Sequence, residues 1–371
     1  MNEYGQKSAT LKGALNVRGR AATSNGSGRF EQYGYERHDD GWDMAEDETP
    51  LRTEVFEENA RHIITKNTSP DVPFDRSINA YRGCEHGCIY CFARPTHTYM
   101  GLSAGLDFES KLFAKPNAAE LLEKEIAREG YEPKPIAMGT NTDPYQPIER
   151  EREITRSILE VLNKYNHPCT ILTKSRLIVR DLDILAPMAK KGLVKAGLSV
   201  TTLDRKLSRT MEPRASMPQR RLDAIRLLSD AGVPTIAMFA PVIPALNDHE
   251  MEQVIAAVAH AGAKDVGYIL MRLPLELTSL FEEWLKANFP NRKDRVMNRL
   301  KAMRGGKTND PRFKHRMTGK GAEADLMRVR FAALCRKHKL NKREDTFKLV
   351  TETFQRPILK GSQYSLLDAL K

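Results

Sequence analysis

The sequence predicts an α/β fold built on a parallel sheet, closed or half-closed as a barrel. Three observations carry that expectation. From about residue 76 to 275, short apolar runs alternate with segments of helical period. Six such runs fit strands, and strands alternating with helices argue for a parallel sheet. The longest apolar stretch, Thr235 to Leu246, is short and broken by Pro241 and Pro244, so no membrane span is expected.

Taken in order, Ser77–Tyr81 is a first strand that runs directly into three clustered cysteines. A helix follows from Asn117, read as an N-cap with Glu120 three residues on, through Leu121, Leu122 and Ile126. Pro135–Gly139 is the second strand, and Ile154, Ile158, Val161, Leu162 and Tyr165 repeat at helical spacing. Thr170–Thr173 and Val194–Val200 are the third and fourth strands, separated by a helix over Leu182–Ala189. A helix over Leu222–Ala231 leads to a strand at Thr235–Phe239, and the next helix starts near Asn247, an N-cap with Glu250 as capping partner. Asp265–Met271 is the last strand.

The flanks differ from this body. Residues 1–60 read as a weakly ordered N-terminal extension: Asn16–Arg29 is rich in Gly, Ser and Arg, and Asp39–Glu48 is an acidic patch around Trp42. Residues 61–275 form the body. Residues 276–371 read as a basic, mainly helical C-terminal region, with helices near Leu280–Leu285, Val296–Met303 and Ala322–His338.

The charge balance is 59 basic against 48 acidic side chains, net +11. That fits a polyanionic partner, DNA or RNA, and it also fits a basic, well-solvated surface. Within the C-terminal region Arg292, Lys293, Arg295, Arg299, Lys301, Arg304, Lys307, Arg312, Lys314 and Arg316 stand with few acids, and Gly305 and Gly306 would let backbone approach a phosphate. The five cysteines do not form a disulfide framework, since three fall within eight positions. That distribution points to a metal site in a reducing compartment, and with no secretory signal a cytoplasmic protein is expected.

The cysteine string is Tyr81-Arg-Gly-Cys-Glu-His-Gly-Cys-Ile-Tyr-Cys-Phe92. Cys84, Cys88 and Cys91 are separated by three and then two residues, a spacing that aims three thiolates at one centre. A four-iron cubane would keep one iron without a protein ligand. A structural zinc is the other reading, with His86, His97 or a distant cysteine as fourth ligand. The loop Gly139-Thr140-Asn141-Thr142-Asp143 ends a strand with small and polar groups, where Asn141 or Asp143 could reach ribose hydroxyls. It also reads as an Asp143-Pro144 turn. Glu212 and Arg214 could contact ribose or carboxylate, or pair with each other.

Cys84-x-x-x-Cys88-x-Tyr90-Cys91 resembles the signature of the radical-SAM superfamily. With Gly139–Asp143 and Ala240-Pro-Val-Ile-Pro-Ala-Leu-Asn247, residues 70–275 resemble the branch related to spore photoproduct lyase. The resemblance implies a partial (β/α)6 TIM-like barrel and a [4Fe-4S] cluster on the three cysteines. It implies S-adenosylmethionine as cofactor, with Tyr90 on its binding side, and an electron donor such as flavodoxin or ferredoxin. It further implies that Lys174 and Ser199 hold the cofactor's carboxylate, and offers Asn247 as an adenine-side contact; the N-cap is the preferred reading of Asn247. Two departures count. No cysteine lies between Pro135 and Glu151, where the lyase carries its hydrogen donor, and Phe92 stands where the lyase has tyrosine. The same hydrogen relay is therefore not expected. Cys169 reads as a buried structural thiol. A non-catalytic nucleic-acid-binding protein, or a radical-SAM enzyme acting on protein or peptide, are the alternatives.

Overall fold

A computed structural model describes residues 18–31, 51–342 and 348–358. The acidic patch around Trp42 lies outside the described residues. Ten strands are present among those described, in chain order β1 (Glu54–Glu57), β2 (Ile64–Lys66), β3 (Arg76–Ile78), β4 (Tyr81–Arg82), β5 (Lys111–Ala114), β6 (Ile136–Met138), β7 (Cys169–Thr173), β8 (Val194–Ser199), β9 (Thr235–Val242) and β10 (Asp265–Leu270).

The main sheet has the order β10-β9-β8-β7-β6-β3-β2. From β3 through β10 the neighbours pair parallel, each strand beside its predecessor in the sheet; only β2 is antiparallel. An order that never reverses is the singly wound pattern, and it brings all six carboxyl ends to one edge. Ile136, Ile171, Ala196, Leu198, Phe239 and Val266, from five neighbouring strands, all lie in one core. Gly139 must be glycine. Its φ is +93°, and a Cβ there would sit 2.0 Å from the Leu172 carbonyl oxygen of the neighbouring strand.

The expected first strand, Ser77–Tyr81, is two strands. β3 belongs to the main sheet, whereas β4 pairs with β5 in a second sheet of order β1-β5-β4. The chain changes sheets at Asn79, whose side chain is used by the 139–143 loop rather than by a ladder: its Oδ1 accepts from the Asn141 amide at 3.0 Å.

Two expected helix caps are absent. Asn117 turns its side chain to Ala60, accepting from the amide at 3.2 Å and donating to the carbonyl at 3.0 Å. Asn247 makes no side-chain cap. It donates to the Thr201 and Pro241 carbonyls at 2.8 and 3.0 Å and accepts from the Ile243 amide at 2.6 Å, while Glu250 accepts from Thr202 and Leu203. In both cases a tertiary partner competes successfully with the local cap.

Part of the N-terminal extension is packed rather than loose. Arg20, Ala21 and Ala22 are buried. Ala21 and Ala22 share an apolar cluster with Ile89 and Tyr90 of the cysteine loop and with Leu277, Phe281 and Trp284 of helix Leu277–Asn288. This segment lacks apolar period because its own backbone does the holding: Ser24 accepts from the Leu106 amide at 3.2 Å, and Gly26 from the Ser103 hydroxyl at 2.7 Å. No helix among the described residues is long and apolar enough to cross a membrane.

Candidate active site

The cysteine loop is shaped by a buried arginine. Arg94, fully buried, donates from Nε to the Cys88 carbonyl at 2.8 Å and from its two terminal nitrogens to Gly87, Ala104 and Gly105 carbonyls at 2.9 to 3.0 Å. Its charge is met by Glu109, also fully buried. Glu109 in turn accepts the amides of Ala21 and Ala22 at 3.1 and 3.0 Å. A buried guanidinium with its donors filled by carbonyls fixes a loop that has no regular ladder of its own. The loop amides are taken up too: Cys84 donates to Phe108, and Glu85 to the Gln146 side chain at 2.8 Å.

So held, Cys84, Cys88 and Cys91 all line one open cavity at the carboxyl edge of the main sheet. None is in a disulfide. Burial raises the Cys84 thiol well above its ordinary value, and the nearby Asp143, Cys88 and Cys91 push the same way. Burial raises Cys88 to about 12, opposed by Lys174 and reinforced by Glu212 and Cys91. Three thiols that repel one another as anions fit a cationic centre that each can bind through its own iron. Among the described residues no three His, Cys, Asp or Glu groups converge at single-ion spacing. His86 lines the cavity with the cysteines, its Nδ1 3.2 Å from an Asp143 carboxylate oxygen but off the line of a good hydrogen bond. His97 Nε2 lies 2.9 Å from the Lys111 carbonyl.

The expected cofactor residues divide into three groups. Gly139, Thr140, Asn141, Asp143, Lys174, Ser199 and Tyr90 all line the cavity with the cysteines. Among them Asp143 is committed to the protein: it accepts from the Tyr145 amide, the Thr173 hydroxyl and the Lys174 amide at 2.9, 2.6 and 2.8 Å. Burial would raise its pKa, but His86 and these donors hold it down, at about 2. Asp143 therefore joins the cysteine loop to the ends of β6 and β7. Asn141, in contrast, is exposed.

Tyr90 turns its hydroxyl to Glu212 and Thr201. Glu212 is buried and ion-paired with the buried Arg221, not with Arg214. Arg214 does not line the cavity; it pairs with Glu85 at 3.1 Å. Lys174 is half-buried, its ammonium 5.8 Å from the Tyr90 ring centroid, with no carboxylate within ion-pair distance among the described residues. Burial opposes its charge, but Cys88, Glu212 and Asp143 raise its pKa overall. The Ser199 hydroxyl is equally without a partner among the described residues.

Sequence reasoning missed Arg94, Glu109 and Arg221, since a buried ion pair leaves no periodic signal. It also missed Arg272, which lines the cavity two residues beyond β10. The strand-end rule that selected Lys174 applies equally to Arg272.

In the C-terminal region the basic residues separate. Arg299 pairs with Asp248 and Glu323, Arg312 with Asp310, and Arg316 with Asp71. Arg304 is buried and donates to the Met271 and Leu270 carbonyls, both at 2.7 Å. The side chains of Arg292, Lys293, Arg295, Lys301, Lys307 and Lys314 have no carboxylate partner among the described residues.

Against known proteins, residues 78–258 match the Radical SAM superfamily. That stretch is a radical-SAM domain. It carries the three cysteines and the strand ends from β6 to β9. An uncharacterised protein of Mycobacterium tuberculosis is 37% identical over 221 residues, 59% of this chain and 65% of that protein. The chain thus spans just under two thirds of that relative's length. An uncharacterised protein of Methanocaldococcus jannaschii is 26% identical over 248 residues, covering 67% of this chain and 88% of that protein. The radical-SAM domain also shares its fold with spore photoproduct lyase. The lyase complexed with dinucleoside spore photoproduct superposes with a TM-score of 0.54 at 16% identity, over 76% of this chain and 79% of the lyase chain.

Proposed function

We propose that this chain is a radical-SAM enzyme in which Cys84, Cys88 and Cys91 hold a [4Fe-4S] cluster and the adjoining cavity takes S-adenosylmethionine. The carrying observation is spatial: three free cysteines and the polar ends of β6, β7 and β8 open on one cavity. The chemistry these groups supply when bound is one-electron cleavage of the sulfonium to methionine and a hydrogen-abstracting 5′-deoxyadenosyl radical.

Each side chain has a task in that reading. Lys174 and the Ser199 hydroxyl offer a cation and a donor to a carboxylate. Asn141 and the backbone of Gly139 and Thr140 offer polar contacts to amine and ribose. Tyr90, held by Glu212, walls the cavity beside the cysteines. Leu172, Met238, Ile269, Leu270 and Met271 line it with apolar surface that excludes water from a reactive intermediate. The parallel strands curl as a partial (β/α)6 barrel over residues 61–275, carrying a basic helical region from residue 276. The electron comes from a donor such as flavodoxin or ferredoxin, and the substrate is nucleic acid. The absent relay cysteine argues against the lyase's own reaction.

The test is anaerobic reconstitution with iron and sulfide. A four-iron absorption and EPR signal that changes on adding S-adenosylmethionine supports the reading. Stoichiometric zinc without iron–sulfur absorption would overturn it in favour of a binding protein. Hydrogen transfer to a peptide but to no nucleic acid would overturn the substrate.

A further inference from the structure

The cavity holds two cations, and the cofactor's single carboxylate can occupy only one. Lys174 lies deep, beside Tyr90 and Cys88. Arg272 lies on the other side, past the end of β10. It is half-buried, and its guanidinium carbon lies 5.0 Å from the ring centroid of Phe92. Among the described residues that ring is its one contact partner: no carboxylate and no carbonyl there meets its five N–H donors. Leaving a partly desolvated guanidinium unpaired is costly, and proteins ordinarily fill such a fork with protein acceptors or with a ligand.

The surroundings do not neutralise it. Asp71, the carboxylate that acts on Arg272, is already bonded to Arg316. Buried Arg304, anchored to the Leu270 and Met271 carbonyls, keeps its Nη1 without any hydrogen-bond partner. Arg316 and Phe313 form a second guanidinium–ring pair, 4.9 Å apart, with Phe313 half exposed. Phe92 itself is 46% exposed, unusual for a phenylalanine beside a cavity. A flat exposed ring beside an unpaired planar cation matches a base beside its phosphate.

We propose that Arg272 and Phe92 form the substrate's anchoring site, with Arg272 binding a phosphodiester and Phe92 stacking the adjoining base, while Lys174 serves the cofactor. This rests on the radical-SAM reading of the cavity but assigns a site that the reading leaves empty. It also gives the tyrosine-to-phenylalanine departure a role: the ring at position 92 packs and does not relay hydrogen.

The experiment measures two affinities on the anaerobically reconstituted full chain, for wild type, Arg272→Gln, Phe92→Leu and Lys174→Gln. A fluorescein-labelled single-stranded oligodeoxythymidylate reads the anchoring site by anisotropy, and radiolabelled S-adenosylmethionine reads the cofactor site by equilibrium dialysis. Arg272→Gln and Phe92→Leu are expected to weaken the oligonucleotide roughly 10- to 100-fold with cofactor affinity kept. Lys174→Gln is expected to do the reverse. Cluster absorbance of each variant confirms that the fold is intact. Oligonucleotide affinity unchanged in Arg272→Gln overturns the proposal, as does loss of cofactor binding in that variant, which would make Arg272 the carboxylate anchor. Tighter binding of a phosphoserine peptide than of the oligonucleotide overturns the nucleic-acid assignment. Failure of wild type to bind S-adenosylmethionine would instead overturn the underlying reading.

Discussion

The two edges of the main sheet differ in what their polar groups do. At the carboxyl edge, the side chains of Lys174, Ser199, Asn141 and Arg272 face a cavity without a hydrogen-bonding side-chain or backbone partner among the described residues, and the committed groups, Asp143 and Glu212, act as braces. At the amino ends of β6 and β7 the polar groups are closed off. Cys169 opens β7 with its thiol fully buried, raised to about 12 by burial alone. His167, also buried, lies 2.8 Å from the Tyr131 hydroxyl and 3.1 Å from the Pro168 carbonyl. Residues 348–358 cover this edge, with Phe354 edge-on to His167 and backbone bonds from Val350 to Gly192 and from Gln355 to Tyr165. The amino ends of β6 and β7 are thus closed by protein, whereas the carboxyl ends open on the cysteine cavity. Unsatisfied polar groups locate the site more sharply than residue type does.

The largest expected effect comes from breaking the brace on the open edge. Arg94→Gln leaves Glu109 buried and uncompensated, and should cost about 3–5 kcal/mol in a denaturant titration together with most of the bound iron. If iron incorporation survived in full, the loop would have to be held by something other than Arg94. A smaller effect tests the closed edge. Burial holds the His167 pKa at about 4, opposed by its bond to Pro168 and helped a little by Arg76. Between pH ~6.5 and ~4 the unfolded chain binds a proton there that the folded chain does not, so stability rises with pH across that window. It is lost as pH falls through it, by at most on the order of 3 kcal/mol. His167→Gln should flatten that part of the stability–pH profile, and a profile identical to wild type would mean the ring is open to solvent. Smallest of all, Arg292→Ala and Lys307→Ala touch neither edge and should change unfolding free energy by less than about 0.5 kcal/mol.

Much of the closed architecture was legible in the sequence. Pro135–Gly139 and Thr170–Thr173 became β6 and β7 within a residue at each end, because a buried parallel strand must be an unbroken apolar run bounded by turn residues. The second sheet was not legible: β1 is largely exposed and carries charged residues at both ends, so neither a buried run nor a clean alternation marks it. Burial of Arg20 to Ala22 was hidden for a related reason, since backbone hydrogen bonds hold that segment. At the site, the cysteines, Lys174 and Ser199 were found by motif and strand-end position. Arg94 and Glu109 were not, because their pairing spans fifteen positions and depends on the loop's fold. Arg214 shows the limit from the other side: a suitable residue type near the site, turned away to Glu85.

The central claim is that the carboxyl-edge cysteines make the protein an S-adenosylmethionine-cleaving enzyme and the amino-edge cysteine does not. The direct measurement is 5′-deoxyadenosine formed after anaerobic reconstitution, dithionite reduction and addition of S-adenosylmethionine. Wild type and Cys169→Ala should both produce it, and Cys88→Ala should produce none. Its absence from fully reconstituted wild type, or equal yields from Cys88→Ala, would contradict the account.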